Sequence, residues 1–269
     1  MAASGRHAAK PRQTASGNAL DVAAPDLAAL EVGRRPKAAT LAVLLAGFVA
    51  LLIGVEADGP VVSADLGVRT WVLAHHPSGL VALSTAVTDV GNPEVSVIAL
   101  LVVAAALSLW RGAAAPLLLA LLGAGALTAA VLVLKAWVGR PGPALRDGHV
   151  VTGYFPSGHT TSSFLCYGLI ALLLTYRGPA GRYGAAFRVG LCAAALVGTA
   201  MVYSNFHWLS DVLAGLTLGG VLLWAAVAGA ARWPGVWAPD ALLRRPVRSP
   251  DPVDTDGPRR AGRSRRAGG

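Results

Sequence analysis

The sequence predicts an all-α protein that crosses a membrane six times as a bundle of helices. Hydrophobic residues make up 54% of the 269 positions and charged residues only 14%, which is too few to coat a soluble globule of this size. The apolar residues form long runs of Ala, Leu, Val and Gly rather than amphipathic stripes. Several runs approach the roughly 20 residues that a helix needs to cross a bilayer. These observations indicate a polytopic membrane protein.

Six apolar runs give the predicted spans, and polar segments separate them. The spans cover residues 38–55, 95–110, 112–134, 159–176, 189–203 and 209–231. Residues 56–94 carry scattered charges and a His-Pro-Ser-Gly break, which is typical of short interfacial helices rather than of a span. Residues 135–158 are rich in Gly, Pro and charge, so we expect a loop on the solvent side.

The two ends of the sequence differ from its middle. Residues 1–37 mix Ser, Pro, Arg and Ala, and residues 232–269 are rich in Pro and Arg. Both compositions are typical of disordered tails. We therefore predict a tail over 1–37, a six-helix membrane domain over 38–231 and a basic tail over 232–269.

The basic residues predict which side of the membrane each loop faces. With six spans, 19 of the 23 Lys and Arg residues fall on the side that holds both termini. By the positive-inside rule this side is cytoplasmic, and we expect the protein in the inner (plasma) membrane. Topology thus explains the net charge of +9, and no nucleic-acid partner is expected.

Three polar clusters lie at the opposite, extracytoplasmic ends of their spans. They are Lys135 with Arg140, then Ser157-Gly158-His159, then His207 with Asp211. The second cluster begins a helix, where free backbone N–H groups and the helix dipole attract an anion. An ordinary capped helix with an interfacial histidine has the same pattern and stays an alternative.

His207 and Asp211 are four residues apart, so on a helix they share one face. The carboxylate then fixes the tautomer of the imidazole and leaves its other nitrogen facing the site, as a nucleophile or base requires. The alternative is a satisfied polar pair at the membrane interface.

In this order and spacing the clusters resemble the signatures of the type 2 phosphatidic acid phosphatase superfamily, which includes bacterial diphosphate-lipid phosphatases and vanadium haloperoxidases. The signatures are Lys, six residues, Arg-Pro; then Pro-Ser-Gly-His; then Ser-Arg, five residues, His, three residues, Asp. The second is complete at 156–159, and the third keeps His207 and Asp211. The resemblance spans residues 38–231.

The resemblance implies a lipid-phosphate phosphatase with its active site at the extracytoplasmic interface. His207 is then expected to attack phosphorus, Asp211 to orient it and His159 to protonate the departing oxygen, before water hydrolyses a phosphohistidine. The residues expected to hold the phosphate are Lys135, Ser157 and Gly158. The resemblance implies no metal and no other cofactor.

Two positions depart from the signatures, and both lack an arginine. Gly142 stands where the first signature has Arg, and Ala200-Met201 stand where the third has Ser-Arg. Arginines that contact a transferring phosphoryl group are worth about 10³ or more in rate. Arg140, two residues before Gly142, is the expected substitute phosphate ligand.

Three functions stay open at this point. The first is hydrolysis of a phosphomonoester or diphosphate on a lipid, either an isoprenoid carrier such as undecaprenyl diphosphate or a glycerolipid. The second is a catalytically weak relative that binds lipid phosphate, which the missing arginines favour. The third is a small proton-coupled transporter, whose polar residues should cross the midplane rather than gather at one interface.

Overall fold

The structure is a computed structural model that describes residues 38–75, 77–144, 148–175 and 183–232. In these ranges the chain forms α-helices and no β-strand. The helices are α1 (Ala38–Glu56), α2 (Pro60–Ala74), α3 (Ser78–Val90), α4 (Pro93–Arg111), α5 (Ala115–Val138), α6 (Gly158–Thr175), α7 (Tyr183–Tyr203) and α8 (Leu209–Arg232). Six of them, α1 and α4 to α8, are long and apolar enough to cross a membrane. The predicted all-α, multi-pass architecture is confirmed.

The end of α5 differs from its predicted position. The helix continues to Val138 because the chain leaves it only at Gly139, which has a φ of 59° and donates its N–H to the Lys135 carbonyl. Glycine adopts this left-handed conformation readily, and it commonly ends helices. Lys135, predicted to begin the loop, therefore lies in the last helical turns, where the helix dipole favours a cation.

The start of α7 also differs. The helix begins at Tyr183, whereas the apolar run predicted a start at residue 189. Arg188 interrupts the hydrophobic run but not the helix, because arginine is a good helix former whose long side chain can leave apolar surroundings. The segment 56–94 contains α2 and α3, the short helices expected there. The predicted tails lie outside the described residues, apart from Arg232, which ends α8.

The central helix of the bundle is α6, which packs against α4, α5, α7 and α8. Its buried leucines form much of the apolar core: Leu165, Leu169, Leu172 and Leu173. Glycines allow the neighbouring helices to approach closely. A Cβ at Gly190 of α7 would lie 2.5 Å from the Phe164 carbonyl oxygen, and one at Gly219 of α8 would lie 2.6 Å from the Phe164 Cβ. Such small residues are what membrane helices use to pack against each other.

One end of the bundle, which we call the polar end, carries the predicted site. α1, α5 and α7 end there, and α4, α6 and α8 begin there. α2 packs on α7 and α8 at this end, and α3 packs on α7. Arg69 of α2 donates to the Asn205 side chain at 3.1 Å, and Ser84 of α3 lies 2.6 Å from the Ser204 hydroxyl. The two short helices therefore support the segment that carries His207.

Candidate active site

The first turns of α6 and α8 meet at the polar end. The Ser157 N–H donates to the Asp211 carbonyl at 3.0 Å. A Cβ on Gly215 would lie 2.8 Å from the Ser157 carbonyl oxygen, so a side chain at this position would push the two helices apart. The close approach brings the N-termini of two helices into one site.

Asp211 contacts His207, although His207 lies two residues before α8 and not on the shared helix face that the spacing of four predicted. Nδ1 of His207 lies 3.1 Å from Oδ2 of Asp211, and the Trp208 N–H donates to the same oxygen at 3.2 Å. Both side chains of the pair are buried. When a neutral imidazole donates from Nδ1, its Nε2 carries the lone pair. The arrangement can therefore present a nucleophilic or basic nitrogen.

Ser157 caps α6. Its Oγ accepts from the Thr160 N–H at 3.4 Å and from the Thr160 hydroxyl at 3.1 Å. Capping is the ordinary structural role that this position allows. It uses Oγ only as an acceptor, so the Ser157 hydroxyl can still donate to an anion.

Lys135 of α5 approaches the start of α6, and His159 belongs to the first turn of α6. The Lys135 Cε is 4.0 Å from the position that a Cβ on Gly158 would take, and the ammonium interacts electrostatically with Asp211. His159 interacts electrostatically with His207 and Lys135. These predicted site residues are therefore within electrostatic reach of one another.

Arg140 belongs to a buried ion-pair network. Its Nη1 donates to Asp211 Oδ1 and to Ser210 Oγ, both at 2.6 Å, and its Nη2 donates to Asp65 Oδ2 at 2.7 Å. Its guanidinium carbon also lies 5.5 Å from the centroid of the Trp208 ring. Phosphate binding by Arg140 stays a prediction, and it would depend on the remaining N–H groups of the guanidinium.

Sequence reasoning missed Asp65, which joins α2 to this network. The side chain is 2% exposed. Its Oδ1 accepts from the Ser210 N–H at 2.9 Å, and its Oδ2 accepts from the Ser210 hydroxyl at 2.5 Å as well as from Arg140. The one signal in the sequence was the spacing of four between Asp65 and Arg69, which puts them on one face of α2. Nothing in the sequence linked Asp65 to Arg140, 75 residues away.

Other side chains fill the two positions that lack an arginine. A Cβ on Gly142 would collide with the ring of Tyr154, a residue that sequence reasoning also missed. This ring packs edge-on against the His207 imidazole, with centroids 5.2 Å apart. Met201 is buried in an apolar cluster with Val197 and Val212. An arginine fits at neither position unless these neighbours move.

The part of the chain that carries the seven predicted site residues matches a known protein family. The model of the PAP2 superfamily matches residues 113–233. This segment of the chain is therefore similar to the PAP2 superfamily. The resemblance stated from the three signatures is thereby confirmed. Asp65 precedes the segment that matches the PAP2 model.

Two curated relatives are similar to part of this chain. It is 33% identical over 103 residues to the lipid A 1-phosphatase of Porphyromonas gingivalis, which is 38% of this chain and 20% of the relative. It is 34% identical over 100 residues to phosphatidylglycerophosphatase B of Bacillus subtilis, which is 36% of this chain and 49% of the relative. The similarity thus spans less than half the length of either relative.

A solved PAP2 structure has the same fold. It is the crystal structure of a transmembrane PAP2-type phosphatidylglycerolphosphate phosphatase from Bacillus subtilis, which matches with a TM-score of 0.59 and 26% identity. The match covers 70% of this chain and 96% of the other. Over the matched part, this chain therefore shares the fold of a transmembrane PAP2-type phosphatase.

Proposed function

We propose that this protein is a membrane phosphatase that hydrolyses a phosphomonoester or diphosphate of a lipid through a phosphohistidine intermediate. The observation that carries the proposal is the His207–Asp211 pair, with 3.1 Å between Nδ1 and Oδ2, beside the start of α6. An oriented nitrogen nucleophile next to a helix N-terminus meets the needs of covalent phosphoryl transfer. The names of the two curated relatives, both lipid phosphatases, support this class of reaction.

The reaction takes place in two displacements. In the first, Nε2 of His207 bonds to phosphorus as the bond from phosphorus to the lipid oxygen breaks, and His159 gives that oxygen a proton. Asp211 stabilises the positive charge that develops on the imidazole. In the second, the water oxygen bonds to phosphorus as the bond from phosphorus to Nε2 of His207 breaks, His159 accepts a proton from the water, and inorganic phosphate leaves.

The substrate phosphate is held where Lys135 approaches the start of α6. The Lys135 ammonium, the Ser157 hydroxyl and the Gly158 N–H are the proposed donors to its oxygens. Gly158 has no side chain to prevent a phosphate from approaching the backbone. Arg140 is a further predicted ligand, although its contacts with Asp65 and Asp211 compete for the same guanidinium.

The proposed site opens on the extracytoplasmic face of the inner membrane, with both termini in the cytoplasm. The charge distribution supports this orientation, because it puts 19 of 23 basic residues inside. A lipid headgroup lies at the depth of such a site, and its hydrocarbon stays in the bilayer. Either an isoprenoid carrier or a glycerolipid meets this requirement.

A second candidate is a catalytically weak relative that binds lipid phosphate. Gly142 and Met201 favour it, because each replaces an arginine of the family signatures, and such arginines contribute about 10³ or more in rate. Turnover by purified protein separates the two candidates.

The first experiment is a phosphate-release screen with purified full-length protein. Prenyl phosphates, prenyl diphosphates, phosphatidic acid and phosphatidylglycerol phosphate are the substrates, and we expect turnover of at least one. A wild-type protein that binds these lipids but releases no phosphate would favour the second candidate.

The mechanism is tested by His207→Ala, which should abolish phosphate release without loss of folded protein. His75→Ala is the matched control, because His75 is exposed at the end of α2, and it should stay active. A metal chelator should leave the wild-type rate unchanged. Retained turnover in His207→Ala, or inhibition by chelator that added metal reverses, would reject the phosphohistidine mechanism.

A further inference from the structure

A buried carboxylate on α2 lies at the far end of the network that holds His207. We infer that Asp65 is a positioning residue: it holds Arg140 against Asp211 and so fixes the carboxylate that orients the nucleophile. The inference rests on the proposed function, because it concerns the same nucleophile. It extends the site beyond the segment 113–233 that the PAP2 model matches.

A chain of three direct contacts joins Asp65 to His207. The distances are 2.7 Å from Asp65 Oδ2 to Arg140 Nη2, 2.6 Å from Arg140 Nη1 to Asp211 Oδ1, and 3.1 Å from Asp211 Oδ2 to His207 Nδ1. Arg140 uses a different nitrogen for each carboxylate, and Asp211 uses a different oxygen for each neighbour. Because both groups are planar and rigid, the orientation of one end restricts the orientation of the other.

Asp65 also holds the backbone of the first turn of α8. It accepts from the Ser210 N–H at 2.9 Å and from the Ser210 hydroxyl at 2.5 Å. The first N–H groups of a helix have no partner within the helix, so this carboxylate from α2 caps α8 from outside. Ser210 directly precedes Asp211, and Asp65 therefore constrains both the backbone and the side-chain partner of Asp211.

The charge balance gives Asp65 an electrostatic role as well. Arg140 is shared by two carboxylates, so the ion-paired group carries one net negative charge. Loss of the Asp65 charge would leave Arg140 to neutralise Asp211 alone. The group would then stabilise less well the positive charge that grows on His207 during attack.

Because the ion-paired side chains are buried, the electrostatic interactions among Asp65, Arg140 and Asp211 are strong. Arg140 is 8% exposed, Asp65 2% and Asp211 0%, so water does little to screen the charges. α2 is also attached to the other side of His207, since Arg69 donates to Asn205. The helix therefore contacts the nucleophile segment on both sides of His207.

The test is Asp65→Asn in the full-length protein, because this change keeps the shape and removes the charge. We expect kcat on the best lipid phosphate of the screen to fall on the order of 10- to 100-fold, with KM little changed. Glu56→Gln is the matched control: Glu56 is an exposed acid at the end of α1, and its variant should keep the wild-type kcat. Thermal unfolding in detergent reports whether each variant is folded.

A double-mutant cycle with Asp211→Asn separates positioning from a purely structural role. If Asp65 acts through Asp211, Asp65→Asn should add little to the loss of kcat already caused by Asp211→Asn. Two independent effects would multiply instead, and that result would overturn the inference. If Asp65→Asn does not fold, Ser210→Ala removes only the hydroxyl between Asp65 and Arg140, and it should lower kcat while leaving KM unchanged.

The remaining outcomes distinguish this inference from the proposed function. An active wild type with an unchanged kcat in Asp65→Asn, or in Ser210→Ala where that variant replaces it, would overturn the inference alone. A parallel loss of stability and of substrate affinity, without a specific fall in kcat, would do the same. A wild type that turns over no lipid phosphate would overturn both.

Discussion

At the scale of single residues, burial decides what Arg140 can do. The sequence shows an arginine on a loop near the site, and such a residue is well suited to bind a phosphate. In the folded protein the same guanidinium lies between Asp65 and Asp211. Removal of one partner from a buried ion pair typically costs about 3–5 kcal/mol. Arg140 is thus required by its neighbours whether or not it also contacts substrate.

We expect Arg140→Ala to lower kcat/KM by on the order of 10² or more. If Arg140 fixes Asp211, the loss should come mainly from a lower kcat. If its chief role is to bind ground-state phosphate, the loss should come mainly from a higher KM. The ion-pair network favours the lower kcat. Steady-state kinetics of full-length protein provide the measurement. Arg111→Ala, at the other end of the bundle, is the control. Kinetics unchanged from wild type would exclude both roles.

How far the sequence predicts the site depends on the distance along the chain between interacting residues. The His207–Asp211 pair is local, so its short spacing predicts the contact, although His207 lies just before α8 rather than on it. Asp65 contacts Arg140, and Tyr154 contacts His207, across segments that no local pattern relates. These contacts depend on how α2 and the loop before α6 pack against the bundle. The spacing of residues along the sequence does not predict that packing.

At the scale of helices, hydrophobic runs predict the spans well and their ends less well. α6 is the instructive case, because it begins with hydroxyl residues that a hydropathy profile penalises. Thr161 Oγ1 donates to the Ser157 carbonyl at 2.7 Å, and Ser162 Oγ donates to the Gly91 carbonyl at 3.1 Å. Hydroxyls that bond to backbone carbonyls are tolerated inside a membrane bundle, so the helix can begin polar and remain buried.

The close contact between α6 and α8 predicts that a side chain at Gly215 is harmful. Gly215→Ala should lower thermal stability by about 1–3 kcal/mol and reduce turnover, because the new methyl group would press on the Ser157 carbonyl and the Thr160 side chain. Gly229→Ala is a control on the same helix, since nothing lies within 4 Å of a Cβ there. It should be neutral or slightly stabilising. Similar melting temperatures and rates for the two variants would contradict the close approach of α6 and α8.

At the scale of the whole molecule, the buried charges lie at one end of the bundle. Among the described residues the buried ionised side chains are Asp65, Arg140 and Asp211, and all three belong to the network at the polar end. A proton-coupled transporter needs ionisable groups near the midplane of the membrane. The distribution therefore favours an interfacial enzyme site over a transport pathway.

The distribution of basic residues predicts the orientation of the bundle in the membrane. Six spans with both termini in the cytoplasm put 19 of 23 basic residues inside, and leave Arg69, Lys135, Arg140 and Arg146 outside. A reporter active only in the periplasm should therefore work when fused at Arg146, between the predicted third and fourth spans, and fail when fused after Arg232. A reporter active only in the cytoplasm should give the opposite pattern. Periplasmic activity after Arg232, or none at Arg146, would invert the topology, and the proposed site would then face the cytoplasm.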